Sequence, residues 1–253
     1  MTLNDLDRWF SETLDLAAVA SIDRSRNGLQ VARRQAEVRR VAFAVDASLA
    51  TFRRAADEGA DALLVHHGLF WNEPVLLTGS TYERVRFLVE RDLALFAAHL
   101  PLDIHPEVGN NAGIARRLGL VDVEPFGLHH GVKIGCKGRL PIPSPLARIA
   151  ELLAEGQPDP VRTLEFGPAE VSTVGIVSGG APRDVGQAVA EGLDAFISGE
   201  SAHEVYHFCL EERINAVFAG HYRTECYGVK LLAERLAKDT GLATVWLDVP
   251  TGL

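Results

Sequence analysis

Cysteine is scarce in this chain: Cys136, Cys209 and Cys226 are its three thiols, widely spaced and without a Cys-x-x-Cys pair. An odd, sparse set excludes a disulfide framework and points to a reducing compartment. Cys226, beside Glu225, reads as a small buried filler rather than a soft ligand. Basic residues are the minority, 25 Lys and Arg against 34 Asp and Glu, for a net charge of −9. That balance argues against loose, sequence-independent nucleic-acid binding, which needs a basic surface to displace counterions. A small anionic substrate is still allowed, because a bound metal reverses the local sign of charge. No apolar run approaches the roughly 18 residues of a membrane span. The opening Met1-Thr-Leu-Asn-Asp-Leu-Asp-Arg-Trp-Phe10 carries acids where a signal peptide needs positive charge. A cytoplasmic protein with no membrane partner is expected. Nucleotide and nucleophile signatures are missing too. Gly179-Gly-Ala-Pro-Arg183 follows a strand and opens a helix, so its amides suit an anion. It has neither the P-loop ending nor the dinucleotide spacing, and no Gly-x-Ser-x-Gly elbow occurs.

What is present is a chain of 253 residues, 47% hydrophobic and without low-complexity segments. That is enough for one large domain or two modest ones. Leu3, Leu6, Phe10 and Leu14 form a helical stripe over residues 3–16, with Thr2 or Asn4 as N-cap. Asn27-Gly28 marks a turn. A strand–helix–strand unit follows: Val41-Ala-Phe-Ala-Val45, a helix over 50–59, and a strand over 62–65. The unit returns in the second half at a constant offset of 133. Val174-Gly-Ile-Val177 matches 41–44, and 188–197 matches 55–64. In that register Glu200 stands opposite His67. At an offset of 122, Phe96-Ala-Ala-His-Leu-Pro-Leu-Asp103 matches Phe218-Ala-Gly-His-Tyr-Arg-Thr-Glu225. The eleven-residue difference falls around residues 71–81, a Gly- and Pro-bearing stretch absent from the second copy. Chance likeness between α/β units is common, but matched order and matched His-x-x-x-acid spacing indicate an internal duplication. The expected layout is a first α/β half over 1–120, a connecting segment over 121–167, and a second α/β half over 168–253. Within the connector, a strand over 132–140 is broken by Pro141-Ile-Pro143, and Ser144 caps a helix over 145–155.

The chemistry gathers at strand ends. The apolar run Asp61-Ala-Leu-Leu-Val65 leads into His66-His67, residues 93–98 lead into His99-Leu-Pro-Leu-Asp103, and 216–219 lead into Gly220-His221-Tyr-Arg-Thr-Glu225. In open α/β sheets the carboxyl ends of parallel strands are where ligands sit. A lone histidine pair is more often an ordinary strand end, but three agreeing strand ends favour a metal. Imidazole with carboxylate suits zinc, iron or manganese better than calcium. His66, His67, Asp103, His221 and Glu225 are the candidate ligands. His221 and Glu225 share a helical face, Glu225 has two oxygens with which to bridge, and adjacent His66 and His67 serve one ion each. Two divalent ions about 3.5–4 Å apart activate water near neutral pH and clamp a phosphoryl or carbonyl oxygen. His99 is a sixth ligand, a supporting donor or a proton shuttle. Glu200 is a supporting carboxylate or a proton carrier. His129–His130 and His203/His207 read as solvated pairs with no assigned role.

These residues carry a family resemblance along nearly the whole chain. Asn27-Gly-Leu-Gln-Val31, Val65-His-His-Gly68, the run from His99 to Asn111, Ser198-Gly-Glu200 and Gly220-His-Tyr-Arg-Thr-Glu225 resemble the NIF-three-like proteins. These are also called GTP cyclohydrolase I type 2 homologues or dinuclear-metal-centre hexameric proteins. Ser198 stands where Thr is common in that family. The resemblance implies two similar, intertwined α/β/α three-layer halves and a toroidal homohexamer. It implies two divalent ions per chain: His67 and Asp103 on one, His66 and His221 on the other, Glu225 bridging. The name implies metal-assisted hydrolytic opening of a guanine ring. The expected function is a metal-dependent hydrolase of a nucleotide-like or phosphorylated small molecule. The competing expectation is a non-catalytic metal-binding or metal-delivery oligomer acting through protein contacts.

Overall fold

The apolar stripe near the N-terminus folds as expected. In the structure, a computed structural model describing residues 1–154 and 160–253, α1 (Leu3–Leu14) buries Leu3, Leu6, Phe10 and Leu14, and Thr2 Oγ1 caps it by accepting from Asp5 N. The chain continues through β1 (Gly28–Val31), β2 (Arg40–Asp46), α2 (Leu49–Asp57), β3 (Ala62–His67), α3 (Gly79–Glu90), β4 (Ala94–Ala97) and α4 (Leu100–Ile104). Next come α5 (Asn110–Leu118), β5 (Val121–His129), β6 (Val132–Ser144), α6 (Leu146–Ala154), β7 (Arg162–Glu165) and β8 (Val171–Val177). The remainder is α7 (Val185–Ala190), β9 (Ala195–Ser198), α8 (Val205–Glu212), β10 (Asn215–Phe218), α9 (His221–Thr240) and β11 (Ala243–Trp246).

These elements form two compact units, neither continuous in sequence. The first is Met1–Leu102 with Val229–Val249, the second Asp103–Gly228 with Pro250–Leu253. The segments 1–120, 121–167 and 168–253 follow the sequence repeat rather than these packing units.

The first unit is built on a sheet of order β1-β4-β3-β2-β11. Strands β4, β3, β2 and β11 are parallel, and β1 lies antiparallel along the β4 edge. Strands buried on both faces read as continuous apolar runs, which is how β2, β3 and β4 appear in the sequence. On one face Ala42, Ala44, Leu63, Val65 and Leu95 pack with Phe52 and Ala55 of α2 and Leu88 of α3. On the other, Phe10 of α1 packs edge-on to Phe43 and against Phe96. Helix, sheet and helix make three layers.

The second unit has a sheet of order β5-β6-β8-β9-β10-β7. Its parallel centre, β8-β9-β10, is flanked by antiparallel β7 and β6. Ile114 and Leu118 of α5 and Ile149 and Leu153 of α6 cover one face, meeting Val174, Ile176 and Ile197. Val185 and Ala188 of α7 and Val205 and Cys209 of α8 cover the other, meeting Phe196 and Ala216. The same three layers recur.

Strand register shows how closely the halves agree. Val41 pairs with Ala62 and Ala44 with Val65; Val174 pairs with Ala195 and Val177 with Ser198. Each pair is displaced by 133 residues, as the sequence predicts. The next strand differs by one. Ala62 pairs with Ala94 and Ala195 with Asn215, so β4 and β10 correspond at an offset of 121 rather than 122. The amides of Ala98 and Ala219 keep that register by donating to Val65 O and Ser198 O. The extra residue of the second half is therefore Gly220, at φ +96, a conformation that favours glycine. It restores the offset of 122 at His221.

Two expectations need correction. His66 and His67 are the last two residues of β3, not the residues after it. Strand β6 also runs through Pro141 and Pro143 to Ser144. Its register against β8 shifts between Arg139 and Ser144, so the prolines occupy an irregular stretch in which a missing ladder donor is tolerated. The expected helix over 145–155 is α6; Glu155 lies outside the described residues. Strand β5, which pairs antiparallel with β6, was not anticipated. It carries Pro125 and Gly127, and its first five residues are exposed, so it shows neither an apolar run nor clean alternation.

Candidate metal centre

In the first unit, three parallel strands deliver side chains at their carboxyl ends: Asp46 from β2, His66 and His67 from β3, and His99 just after β4. One ring nitrogen from each of His66, His67 and His99 lies within 4.8 Å of the others. All three rings are tied through Nδ1. That of His66 lies 2.8 Å from Ala98 O, that of His67 2.8 Å from Asp46 Oδ1, and that of His99 2.8 Å from Asp23 Oδ1. A carbonyl or carboxylate oxygen only accepts, so each Nδ1 carries the proton, and in a neutral ring Nε2 keeps its lone pair. This is how histidines are usually oriented for a metal. His66 is fully buried, and its ring is tilted 47° to that of His67.

Asp23 organises this corner. It accepts from Ser25 N, Asn27 Nδ2 and Leu100 N besides His99. Burial alone would raise its pKa, but the His99 contact and the amide donors outweigh it and hold the carboxyl below its ordinary range. The carboxylate thus stays ionised as a fixed support.

In the second unit, Ser178 and Gly179 follow β8, Gly199 and Glu200 follow β9, and His221 opens α9 after β10. His221 Nδ1 lies 2.6 Å from Glu200 Oε1, and its Nε2 lies 3.1 Å from Glu225 Oε1 one turn along α9. A neutral imidazole has a single N–H and cannot satisfy both carboxylates. The second contact needs a further proton, on either partner, or a cation shared by Nε2 and Oε1, and a divalent ion meets that demand. Glu225 is 3% exposed and Asp103 8%, and one oxygen of each lies within 4.8 Å of the other. Asp103 Oδ1 accepts from Asn110 Nδ2 and Ser178 Oγ, each at 2.9 Å. Asn110 Oδ1 in turn accepts from Gly228 N in α9, which ties α5 to the ligand helix.

The Gly179-Gly180 turn has a role other than receiving an anion. Gly179 sits at φ +68, and a Cβ there would lie 2.3 Å from Glu225 Oε1 and 3.3 Å from His221 Nε2. Thr224 Oγ1 accepts from Gly179 N, so this backbone is pressed against α9. Glu200, half-exposed, also lines a cavity of about 400 Å³ with Ser201, Gly220, Tyr222 and Arg223.

The structure thus gathers His66, His67 and His99 in the first unit. In the second it gathers Asp103, Glu225 and His221, with Glu200 behind His221. His129 and His130 are exposed at the β5–β6 turn, and exposed His203 and His207 lie before and on α8. Burial pushes the Cys136 thiol up to about 12 and that of Cys209 to about 11, so neither supplies a thiolate near neutral pH. Sequence reasoning missed Asp23, Asp46, Ser178 and Asn110. Asp46 was findable, because it ends a parallel strand as His67 does; Asp23 precedes the first strand and carries no such signal.

Comparison with known proteins finds relatives along nearly the whole chain. The family model Duf34/NIF3 (NGG1p interacting factor 3) matches residues 1–251. The chain is 44% identical over 250 residues to a GTP cyclohydrolase 1 type 2 homolog of Deinococcus radiodurans, covering 99% of this chain and 94% of that one. It is 40% identical to the protein of the same name from Treponema pallidum, with both chains fully covered. Among solved structures, protein ybgI, described as of unknown function, superposes with a TM-score of 0.92 at 33% identity, covering both chains fully. TTHA1606 from Thermus thermophilus superposes at 0.89 with 40% identity, again covering both fully. Among the described residues, no helix is long and apolar enough to cross a membrane. A match along nearly the whole chain, joined to relatives at this level of identity, places the protein: it belongs to the Duf34/NIF3 family.

Proposed function

We propose that the protein is a dinuclear, metal-dependent hydrolase of a nucleotide-like or phosphorylated small molecule, in keeping with the name GTP cyclohydrolase 1 type 2 homolog carried by its relatives. The observation that carries the reading is the donor set. Three histidines are tethered through Nδ1, and a fourth, His221, stands between two carboxylates with one proton to share. By the family resemblance, His67 and Asp103 would hold one ion, His66 and His221 would hold the other, and Glu225 would be shared. Zinc, iron or manganese fits these nitrogen and oxygen donors. Bound there, the ions supply Lewis acidity and a low-pKa water. Asp46 and Glu200 fix the rings of His67 and His221. His99, held by Asp23, and Glu200, on its cavity, move protons to and from the reacting groups. We further propose that the chain works as a toroidal homohexamer in the cytoplasm.

Metal counting tests the centre. Protein loaded without chelator is expected to hold about two divalent ions per chain by elemental analysis. Glu225→Gln should weaken both and Asp103→Asn mainly one; a stoichiometry of one or none removes the dinuclear reading. Catalysis is tested by screening the loaded protein against nucleotides and phosphoesters. His99→Ala should keep its metals and lose on the order of a hundred- to ten-thousand-fold in turnover. Metals retained with no turnover on any substrate by the wild type would favour a metal-binding or metal-delivery role. Light scattering at about six times the 27.4 kDa chain mass tests the hexamer.

A further inference from the structure

We propose that the groove beside Trp71 in the first unit is a binding subsite for a planar heteroaromatic ring, with Trp71 as its stacking platform. The substrate of the centre then carries such a ring. The inference rests on reading His67 and His99 as part of the reaction centre.

The groove has a volume of about 850 Å³, within the range of small-molecule sites. Its walls are largely apolar, from Val31, Phe70, Trp71, Leu77, Val85 and Val89. Trp71 joins the groove to the histidine cluster. Its ring centroid lies 5.1 Å from that of His99, edge-on at 73°, and 6.4 Å from that of His67. A ring resting on the indole therefore lies beside the side chains that would carry the reaction.

Trp71 is held, not loose. Its indole N–H donates to Gly68 O at 3.2 Å. Asn72 N donates to Arg24 O, Arg26 N to Phe70 O, and Asn72 Nδ2 to the backbone oxygen of Asp23, whose carboxylate braces His99. Arg24 and Glu73 form an ion pair across the same strap. Gln30 spends its amide on the backbone of Arg26, Leu69 and Phe70. A platform ordered before binding loses little entropy when a ring stacks on it.

The duplication supplies an independent argument. The strand offset falls from 133 to 121 between β3 and β4, so the first half carries twelve residues that the second lacks. Trp71 and Leu77 stand in the connection from β3 to α3, which is longer than the β9–α8 connection and holds part of that excess. The second unit closes with the shorter connection, so the wall built by Trp71 and Leu77 is an addition to one half, set against Val31 of β1 and Val85 and Val89 of α3. Apolar walls and an indole favour a flat ring and give nothing to a bare sugar phosphate.

The test uses the full chain, metal-free, with calorimetric titration of guanosine, adenosine and ribose 5-phosphate. Both nucleosides should bind saturably and ribose 5-phosphate should not. Trp71→Ala should weaken nucleoside binding on the order of ten- to a hundredfold, and Trp71→Phe should retain most of it. Leu77→Glu, at a side chain that is 53% exposed, keeps the test open if Trp71→Ala fails to fold, and should also weaken binding. Equal affinity for ribose 5-phosphate, or unchanged affinity in the variants, overturns the proposal. So does a tryptophan fluorescence change, absent from Trp71→Phe, that follows protein concentration alone, which would mean a second copy fills the groove. Because these titrations need neither metal nor turnover, their failure is separable from failure of the hydrolase reading.

Discussion

At the scale of single residues, the two halves place a supporting carboxylate differently. Asp46 pairs in register with His67 and holds its ring. Its counterpart 133 residues on is Gly179, where a Cβ would reach Glu225 Oε1 at 2.3 Å. Losing the carboxylate clears space for Glu225, and Glu200 takes over support of the second half's own histidine, His221. Gly179→Ala should therefore displace Glu225 and lower metal affinity on the order of ten- to a hundredfold, read by competition with a chelator. Unchanged affinity would take Glu225 out of the centre. Cysteine chemistry gives a second expectation. With its thiol pushed up to about 12 and only 8% of the residue exposed, Cys136 should resist iodoacetamide near pH 8 in the native protein. It should react only after denaturation.

At the scale of elements, α1 and the Arg33 clamp carry distinct parts of the first unit's stability. Phe10 is 1% exposed and touches rings from two strands, so Phe10→Ala should cost about 3–5 kcal/mol in urea unfolding. A loss under about 1 kcal/mol would mean that α1 frays independently of the sheet. The Arg33 side chain, 6% exposed, meets Asp61 at 2.6 Å and Asp92 at 3.5 Å. Asp61 also accepts from the amides of Arg39 and Arg40. Burial pushes its carboxyl up, but these donors and the guanidinium more than offset that and hold it below its ordinary 3.8. A folded pKa below the unfolded one adds stability above the unfolded value, and that stability is lost as pH falls through the folded value. Asp61→Asn should thus be less stable than wild type at pH 7, with the gap narrowing below about pH 4. A gap that does not change with pH would assign the loss to the hydrogen bonds alone.

At the scale of the whole molecule, the interleaved units decide which fragments can fold. Strand β11 lies beside β2 in the first unit's sheet although it comes from residues 243–246. Val229, Leu232 and Leu236 of α9, also in that unit, are fully buried. A fragment of residues 1–120 would keep the histidine cluster but expose the β2 edge. It should lack cooperative thermal unfolding, whereas the intact chain should show it. A sharp transition in the fragment would mean that β11 and α9 are dispensable to the first unit.

The sequence by itself determined whatever repeats locally. Apolar runs, the 133-residue offset and the His-x-x-x-acid spacing identify the parallel strands and the residues at their carboxyl ends, because strand burial and ligand chemistry each restrict residue type. Tertiary structure decided what depends on the third dimension. It set Asp23 against His99 across 76 residues and moved the second strand correspondence to 121, with Gly220 absorbing the difference through its positive φ. It also carried β6 through two prolines and gave the first unit a strand from the far end of the chain. Each of these rests on contacts between distant residues or on a backbone angle, neither of which leaves a periodic signal in composition.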